Sequence, residues 1–161
     1  MGRASATRPV EHSDEGGFTL IELMIVIGII AILVSVAMPT FLGSRQKAQD
    51  RAAQADLRAG LTAIRTAYID GQSYVTAATQ LASVEPTLSY VTGPGASSSR
   101  TGELAVNAVD DQNVGMSVLA GDGVCWELFD STASGTTYGS LPHRTGATCP
   151  APASPLSATS W

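Results

Sequence analysis

Residues 18–38 of the chain read FTLIELMIVIGIIAILVSVAM. This stretch contains one charged side chain, Glu22, and the first proline after it is Pro39. An α-helix rises ~1.5 Å per residue, so about 20 apolar residues cross the ~30 Å hydrocarbon core of a bilayer. The apolar region of an ordinary secretory signal peptide is shorter, at about 7–15 residues. The stretch therefore predicts one membrane-spanning helix, preceded by the hydrophilic segment 1–17.

Glu22 is the unusual residue of this span. A carboxylate inside an apolar span costs about 2.5–3.5 kcal/mol on the insertion scale, which makes it a candidate functional group. One interpretation is that Glu22 lies near the helix start and reaches the lipid headgroups. Alternatively, a cut between Gly17 and Phe18 would create an ammonium group about one helical turn away, within pairing distance in the same or a neighbouring subunit. The second interpretation gives the carboxylate a purpose that a simple anchor lacks.

The run Gly17-Phe18-Thr19-Leu20-Ile21-Glu22, followed by the apolar span, resembles the class III signal of type IV prepilins and their pseudopilin relatives. The resemblance implies that a membrane-bound prepilin peptidase cuts after Gly17 and methylates the new amino group of Phe18. It implies that Glu22 neutralises the N-terminus of an adjacent subunit during assembly. It also implies that Pro39 is the helix-kinking proline that type IV pilins commonly have.

The match covers about residues 16–70, and it implies an orientation with the leader 1–17 inside and the bulk of the chain outside. Counting basic residues near the span ends predicts the opposite, because three follow the span within residues 45–51 and two precede it. We expect the processing signal, and not the count of basic residues, to determine the orientation of the span. The chain is then a single-pass membrane protein before assembly and part of an extracellular, cell-surface filament afterwards.

The sequence after the span favours a continued helix. Pro39 lacks an amide hydrogen and should kink the helix, although a helix end at Met38 is the alternative. Residues 40–70 contain no further proline. Apolar residues recur there at steps of four, four, three and four, which predicts an amphipathic half-helix with one face to cover. These residues are Ala53, Leu57, Leu61, Ile64 and Tyr68.

The remaining segment, 71–161, has the pattern of a β-rich globular head. Strands are predicted over 88–92, 103–109, 114–120 and 124–130, and Gly121-Asp122-Gly123 is a hairpin turn between the last two. Residues 76–85 are predicted to form a short helix or an extended loop, 94–100 an exposed loop and 150–161 a flexible tail. The fold class is therefore α+β, with a long N-terminal helix packed on a small antiparallel sheet.

Cys125 and Cys149 are the two cysteines of the chain. An even number in an exported chain favours a disulfide, with two unrelated buried thiols as the alternative. In the chain-entropy model the closed loop would stabilise the head by about 3–4 kcal/mol. The arrangement resembles the C-terminal disulfide-bounded region of type IV pilins.

No catalytic constellation is present in the sequence. The histidines, His12 and His143, have no cysteine partners at metal-ligand spacing, and phosphate-binding loops and nucleophile motifs are absent. We therefore predict no enzyme activity, no cofactor and no metal, and we expect the acids Asp110, Asp111, Asp122 and Asp130 to be solvated turn residues. Trp126 and Phe129 are expected in the sheet core. Tyr138 and Trp161 are surface aromatics that could mediate adhesion, although no motif in the sequence indicates it. The formal net charge of −5 argues against nucleic-acid binding.

The sequence thus predicts a pilin subunit that assembles with copies of itself through its N-terminal helix. Its partners would be prepilin peptidase, the inner-membrane assembly machinery and, before assembly, the membrane. A pseudopilin of a type II secretion or DNA-uptake system is the alternative with the same N-terminal parts. A membrane-anchored enzyme or binding domain is a further alternative, but it would need no Glu22.

Overall fold

The computed structural model describes residues 17–142 and 148–161, so His12 and His143 lie outside the described residues. The chain divides into two compact units, Met1–Phe41 and Leu42–Trp161. Helix α1 runs from Leu20 to Gly71 and contains Pro39 in its interior. A helix end at Met38 is therefore wrong, and the kink at Pro39 stays a prediction.

In the first unit the described residues, 17–41, are all exposed. The two hydroxyl side chains of this part of α1 bond to its own backbone. Ser35 Oγ donates to the carbonyl of Ile32 at 2.7 Å, and Thr40 Oγ1 donates to the carbonyl of Ala37 at 2.8 Å. Hydroxyl groups that bond to the preceding turn need no water, which makes them compatible with an apolar environment.

In the second unit, residues 42–142 and 148–161 form the rest of α1, a second helix and seven strands. Helix α2 covers Tyr74–Val84, which decides between the two predictions for 76–85 in favour of a helix. The strands are β1 Ser89–Thr92, β2 Ser97–Ser98, β3 Glu103–Ala108, β4 Asn113–Leu119, β5 Cys125–Ser131, β6 Gly135–Leu141 and β7 Cys149–Pro150.

Five strands form one sheet in the order β1-β3-β4-β5-β6, and β2 and β7 form a separate antiparallel pair. The large sheet is antiparallel except for β1, which pairs with β3 in parallel. The predicted turn connects β4 to β5, with the amide of Gly123 bonded to the carbonyl of Ala120 at 3.0 Å. Gly123 has φ 92°, a left-handed conformation that favours glycine. The α+β fold class is confirmed, with one parallel strand in the predicted antiparallel sheet.

The main core lies between one face of α1 and one face of this sheet. Leu57 and Ile64 of α1 are fully buried, as are Leu104, Met116 and Leu128 of three neighbouring strands. The predicted stripe of α1 is confirmed, with Tyr68 only partly buried at its end. Gly60 belongs to the same face, and a Cβ at this position would overlap the ends of the Leu104 and Met116 side chains. Glycine therefore lets the helix approach the sheet closely.

An ion pair between half-exposed Arg65 and buried Asp130 connects α1 to the sheet, and Tyr74 of α2 joins it. Arg65 donates to both carboxylate oxygens of Asp130, from Nε at 3.0 Å and from Nη2 at 2.6 Å. Tyr74 and Thr136 donate their hydroxyl groups to the same carboxylate at 2.6 and 2.7 Å. Burial alone would raise the pKa of Asp130, but these hydrogen bonds together hold it below its ordinary value. The expectation of a solvated turn acid is wrong for Asp130, which is 1% exposed.

The opposite face of the sheet is covered by residues 148–161, which we call the C-terminal strap. Ser117 of β4 donates its hydroxyl to the carbonyl of Cys149 at 2.8 Å, and Tyr138 of β6 forms a two-way backbone bridge with Ala158. A Cβ at Gly115 would overlap the backbone carbonyl of Pro152. The expected flexible tail is therefore wrong as a description of this segment, because it packs along the sheet. Its apolar content is low, so pattern alone gave no sign of this packing.

Two loop predictions also need correction. Residues 94–100 include strand β2, and Ala96 and Ser98 are buried where β2 pairs with β7. Strand β6 lies in the segment after β5 for which we predicted no strand. Its sequence, GTTYGSL, carries too few apolar residues to show a β period, and its side chains remain partly exposed.

The structure joins Cys125 and Cys149 in a disulfide, with Cα atoms 5.6 Å apart. The bond connects β5 to the start of the C-terminal strap, and Cys149 is fully buried. The pairing thus agrees with the disulfide expected from the cysteine count.

Candidate functional site

The residues of the expected cleavage site lie just before α1. Gly17 and Phe18 precede the helix in non-helical backbone, and the Phe18 side chain is 90% exposed. Of the described residues, none contacts Phe18 closely enough to bury it. Gly17 is exposed as well, so the described residues leave both sides of the Gly17–Phe18 bond uncovered.

Thr19 and Glu22 begin the helix together. Thr19 donates its backbone amide and its hydroxyl to Glu22 Oε2, at 3.0 and 2.8 Å. The amide of Glu22 in turn donates to Thr19 Oγ1 at 3.2 Å, and the carbonyl of Thr19 accepts the first helical bond, from Leu23, at 3.3 Å. This reciprocal arrangement is a capping box, in which a residue before the helix and the third residue within it satisfy each other's donors.

The capping box assigns a role to Thr19 that our sequence reasoning missed. The signal was present, because a threonine followed three residues later by a glutamate, ahead of an apolar run, is the pattern of this motif. The two interpretations of Glu22 from the sequence, a headgroup contact and a partner for an amino group, do not include a helix cap. In the structure its carboxylate is already directed toward the N-terminal end of α1, where that amino group would arise.

The apolar span has the length and composition of a membrane helix. Among the described residues, α1 is the one helix that meets this requirement, and its most apolar window has no buried residue. Its large side chains are 44% exposed or more from Leu20 to Leu42. An uncovered apolar surface of this extent is unfavourable in water and must be covered by lipid or by protein.

The acidic residues of the head do not form a metal site. Within residues 17–142 and 148–161, no group of three or more potential ligands is close enough to hold an ion. Asp110 accepts hydrogen bonds from the side chain of Asn113 and the amide of Gln112, which lower its pKa. Asp122 accepts from the amide of Val124 at 3.1 Å. Both acids act as turn residues, as predicted.

The comparisons with known proteins each cover part of the chain. Residues 12–38 match the family model described as the prokaryotic N-terminal methylation motif. The chain is 46% identical over 59 residues to the type IV major alpha-pilin of Moraxella bovis, covering 37% of each protein. It is 47% identical over 58 residues to the type IV wide pilus major component PilA4 of Thermus thermophilus, covering 36% of this chain and 44% of that one.

A secretion protein matches to a similar extent. The chain is 37% identical over 67 residues to the type II secretion system core protein G of Aeromonas hydrophila, covering 42% of this chain and 47% of that one. The aligned part thus spans less than half the length of these curated relatives. No solved structure matches the chain. Part of the chain is therefore similar both to type IV pilins and to a core protein of a type II secretion system.

Proposed function

We propose that this member of the type IV pilin superfamily is the precursor of a pilin. Prepilin peptidase cuts it after Gly17 and methylates Phe18, and the inner-membrane assembly machinery then builds the subunit into a surface filament. The observation that carries the proposal is the exposed apolar half of α1, which lies just after the exposed Gly17–Phe18 bond and overlaps the matched methylation motif. The residue roles rest on the motif and on the geometry around Glu22.

The exposed helix supports self-assembly. Residues at helical spacing from Ile27 to Pro39 line a shallow apolar groove of about 600 Å³ on one side of α1. In the filament the occupant of this groove is the span of a second copy. When the span leaves lipid and packs against another span, the polarity of its surroundings changes little. The hydrophobic effect alone therefore contributes little free energy to assembly. A head-to-tail contact that repeats without closing produces an open helical fibre.

Glu22 supplies the specificity of the contact. Its carboxylate is stranded in an apolar environment unless a neighbouring charge approaches. The methylated amino group of Phe18 in an adjacent subunit provides that charge once the neighbour is correctly seated. The capping box holds the carboxylate at the helix start in the meantime.

Two substitutions separate the charge of Glu22 from its capping role. Glu22→Ala removes both, whereas Glu22→Gln keeps a side chain that can complete a capping box and removes the charge. We expect both variants to insert into the membrane and to reduce the yield of sheared surface filaments at least tenfold. The measurement is the amount of the chain in sheared material relative to the membrane fraction. Normal filament yield from Glu22→Gln would show that charge pairing is not required.

The N-terminus of the filament subunit tests the processing step. Mass spectrometry of sheared filaments should find chains that begin at N-methylated Phe18. A full-length leader on the assembled chain would contradict the proposal.

A pseudopilin of a type II secretion system is the second candidate, because the match to core protein G is as long as the matches to pilins. Deletion of the chain distinguishes the two functions. Loss of surface filaments with normal protein secretion supports the pilin, and loss of secretion with no surface filament to lose supports the pseudopilin.

A further inference from the structure

An aromatic groove lies on the head, beside the edge strand β6 and the end of the C-terminal strap. It has a volume of about 360 Å³, and the rings of Trp126, Tyr138 and Trp161 form part of its wall. The centroids of Tyr138 and Trp161 are 4.5 Å apart with a 62° angle between the rings, and those of Trp126 and Trp161 are 5.9 Å apart with an 87° angle. The three rings therefore form one cluster of edge-to-face contacts.

The polar atoms of the two tryptophans are already satisfied. Trp126 Nε1 donates to Asp50 Oδ1 at 3.0 Å, and Trp161 Nε1 donates to the carbonyl of Gly139 at 3.3 Å. The Arg58 guanidinium lies over the Trp161 ring, 5.1 Å from its centroid. These bonds fix the ring positions before any ligand arrives, which lowers the entropic cost of binding.

The rim of the groove carries neutral polar groups. Gln54, Ser140, Ser157 and Ser160 line it together with the rings. Their side chains, and the Tyr138 hydroxyl, make no hydrogen bond within the part of the chain that the structure describes. An amide and four hydroxyl groups thus surround an aromatic wall with their donors and acceptors unused.

We propose that this groove binds a neutral saccharide. The apolar faces of a sugar ring suit aromatic side chains, while its hydroxyl groups suit amide and hydroxyl partners that can both donate and accept. The volume lies at the lower end of the ~300–1,000 Å³ typical of small-molecule sites. The two charged neighbours named above have opposite signs and each already contacts a ring: Asp50 accepts from Trp126, and Arg58 lies over Trp161. The groove therefore offers little to an anionic ligand. Binding here is independent of filament assembly.

The chain itself supplies the probe for a binding assay. Its two tryptophans, Trp126 and Trp161, both line the groove, so intrinsic fluorescence reports on this site alone. The full-length chain is purified in a zwitterionic detergent, because detergents with sugar headgroups would compete. Galactose, N-acetylglucosamine and lactose are titrated, with N-acetylneuraminic acid and a single-stranded oligonucleotide as charged comparisons.

We expect a saturable shift in tryptophan emission for at least one neutral sugar, with half-saturation at roughly millimolar concentration. Tyr138→Leu should weaken binding about threefold to tenfold, because it removes one ring from the wall. Gln54→Ala combined with Ser157→Ala should weaken it similarly while leaving all three rings in place. Ser134→Ala, at an exposed serine on the β5–β6 turn, is the matched control and should bind normally.

Three outcomes would overturn the proposal. The first is no saturable response to any neutral sugar, and the second is a response only to the charged comparisons. The third is a response that the Gln54 and Ser157 substitutions leave unchanged. Since the assay uses the unassembled chain, a negative result would not bear on the pilin function.

Discussion

Glu127 and Asp130 lie on the same strand, β5, but the surrounding residues provide hydrogen-bond partners for only one of the two carboxylates. Asp130 faces the helices and receives hydrogen bonds from Arg65, Tyr74 and Thr136. Glu127 faces the C-terminal strap and is 6% exposed, and its carboxylate makes no hydrogen bond or ion pair within the described part of the chain. Burial raises the pKa of Glu127, because it removes part of the hydration that stabilises the charged carboxylate.

The raised pKa of Glu127 determines how the stability of the fold changes with pH. A carboxyl group with a raised pKa in the folded state stabilises the fold most below its unfolded-state pKa, and that contribution is lost as the pH rises through the folded-state pKa. Glu127→Gln removes the buried charge. We therefore expect the variant to melt several degrees higher than the parent chain at pH 7–8 and at the same temperature below about pH 4.

The measurement is the midpoint of thermal unfolding, followed by tryptophan fluorescence of the full chain in detergent across this pH range. Asp70→Asn, at an exposed carboxylate, serves as the control and should show no such pH dependence. A lower melting temperature for Glu127→Gln at pH 8 would mean that the buried charge of Glu127 does not destabilise the fold.

At the scale of elements, the start of α1 depends on the box formed by Thr19 and Glu22. Loss of a threonine N-cap typically costs about 1 kcal/mol of helix stability. Thr19→Ala would also remove the hydroxyl that holds the Glu22 carboxylate at the helix start. We expect this variant to be cut after Gly17 normally but to yield severalfold fewer filaments, with Thr19→Ser restoring the yield.

Filament yield from sheared cells and the N-terminal residue of the membrane-bound chain are the two measurements. Rescue by serine is the informative control, because serine keeps the hydroxyl and lacks the methyl group. If Thr19→Ala assembled as well as the parent, the capping box would have no part in positioning Glu22.

The elements that the sequence predicted are those with a clear apolar period. The stripe of α1 and the alternation of Val114, Met116 and Val118 both place apolar residues on one buried face, and the structure confirms them. Strand β6 was missed because its edge position requires no apolar face. The sequence also identified Glu22 as a candidate functional residue. The structure adds Thr19, whose hydroxyl donates a hydrogen bond to the Glu22 carboxylate.

The C-terminal strap was missed for a different reason. Its contacts are backbone hydrogen bonds, small side chains and a disulfide, such as the bond from the amide of Ala151 to the carbonyl of Ala96 at 2.9 Å. Such contacts depend on where distant parts of the chain meet. Local composition, rich in proline, serine and alanine, suggested only an unstructured tail.

At the scale of the whole head, the Leu42–Trp161 unit has three layers: the α1 face, the sheet and the C-terminal strap. The disulfide is the covalent link between the second and third layers. Replacing both Cys125 and Cys149 by serine should destabilise the head by about 3–4 kcal/mol in the chain-entropy model. We expect the melting temperature to fall by about 10 °C or more.

Limited proteolysis shows which part of the head is destabilised when the disulfide is lost. Cleavage of the double-serine variant should begin within the C-terminal strap, while the sheet strands β3, β4 and β5 remain protected. Unchanged protease resistance and melting temperature would show that the non-covalent contacts of the strap are sufficient.

The pairing of β2 with β7 has a consequence for the order of folding. Strands β3 to β6 are joined by short turns, so their contacts are local and form readily. Ser98 and Cys149 are far apart in the chain, and the loop they close costs entropy that the completed sheet must offset. We therefore expect the two thiols to meet late, on a preformed sheet, so that oxidation of Cys125 and Cys149 is the last step in the folding of the head.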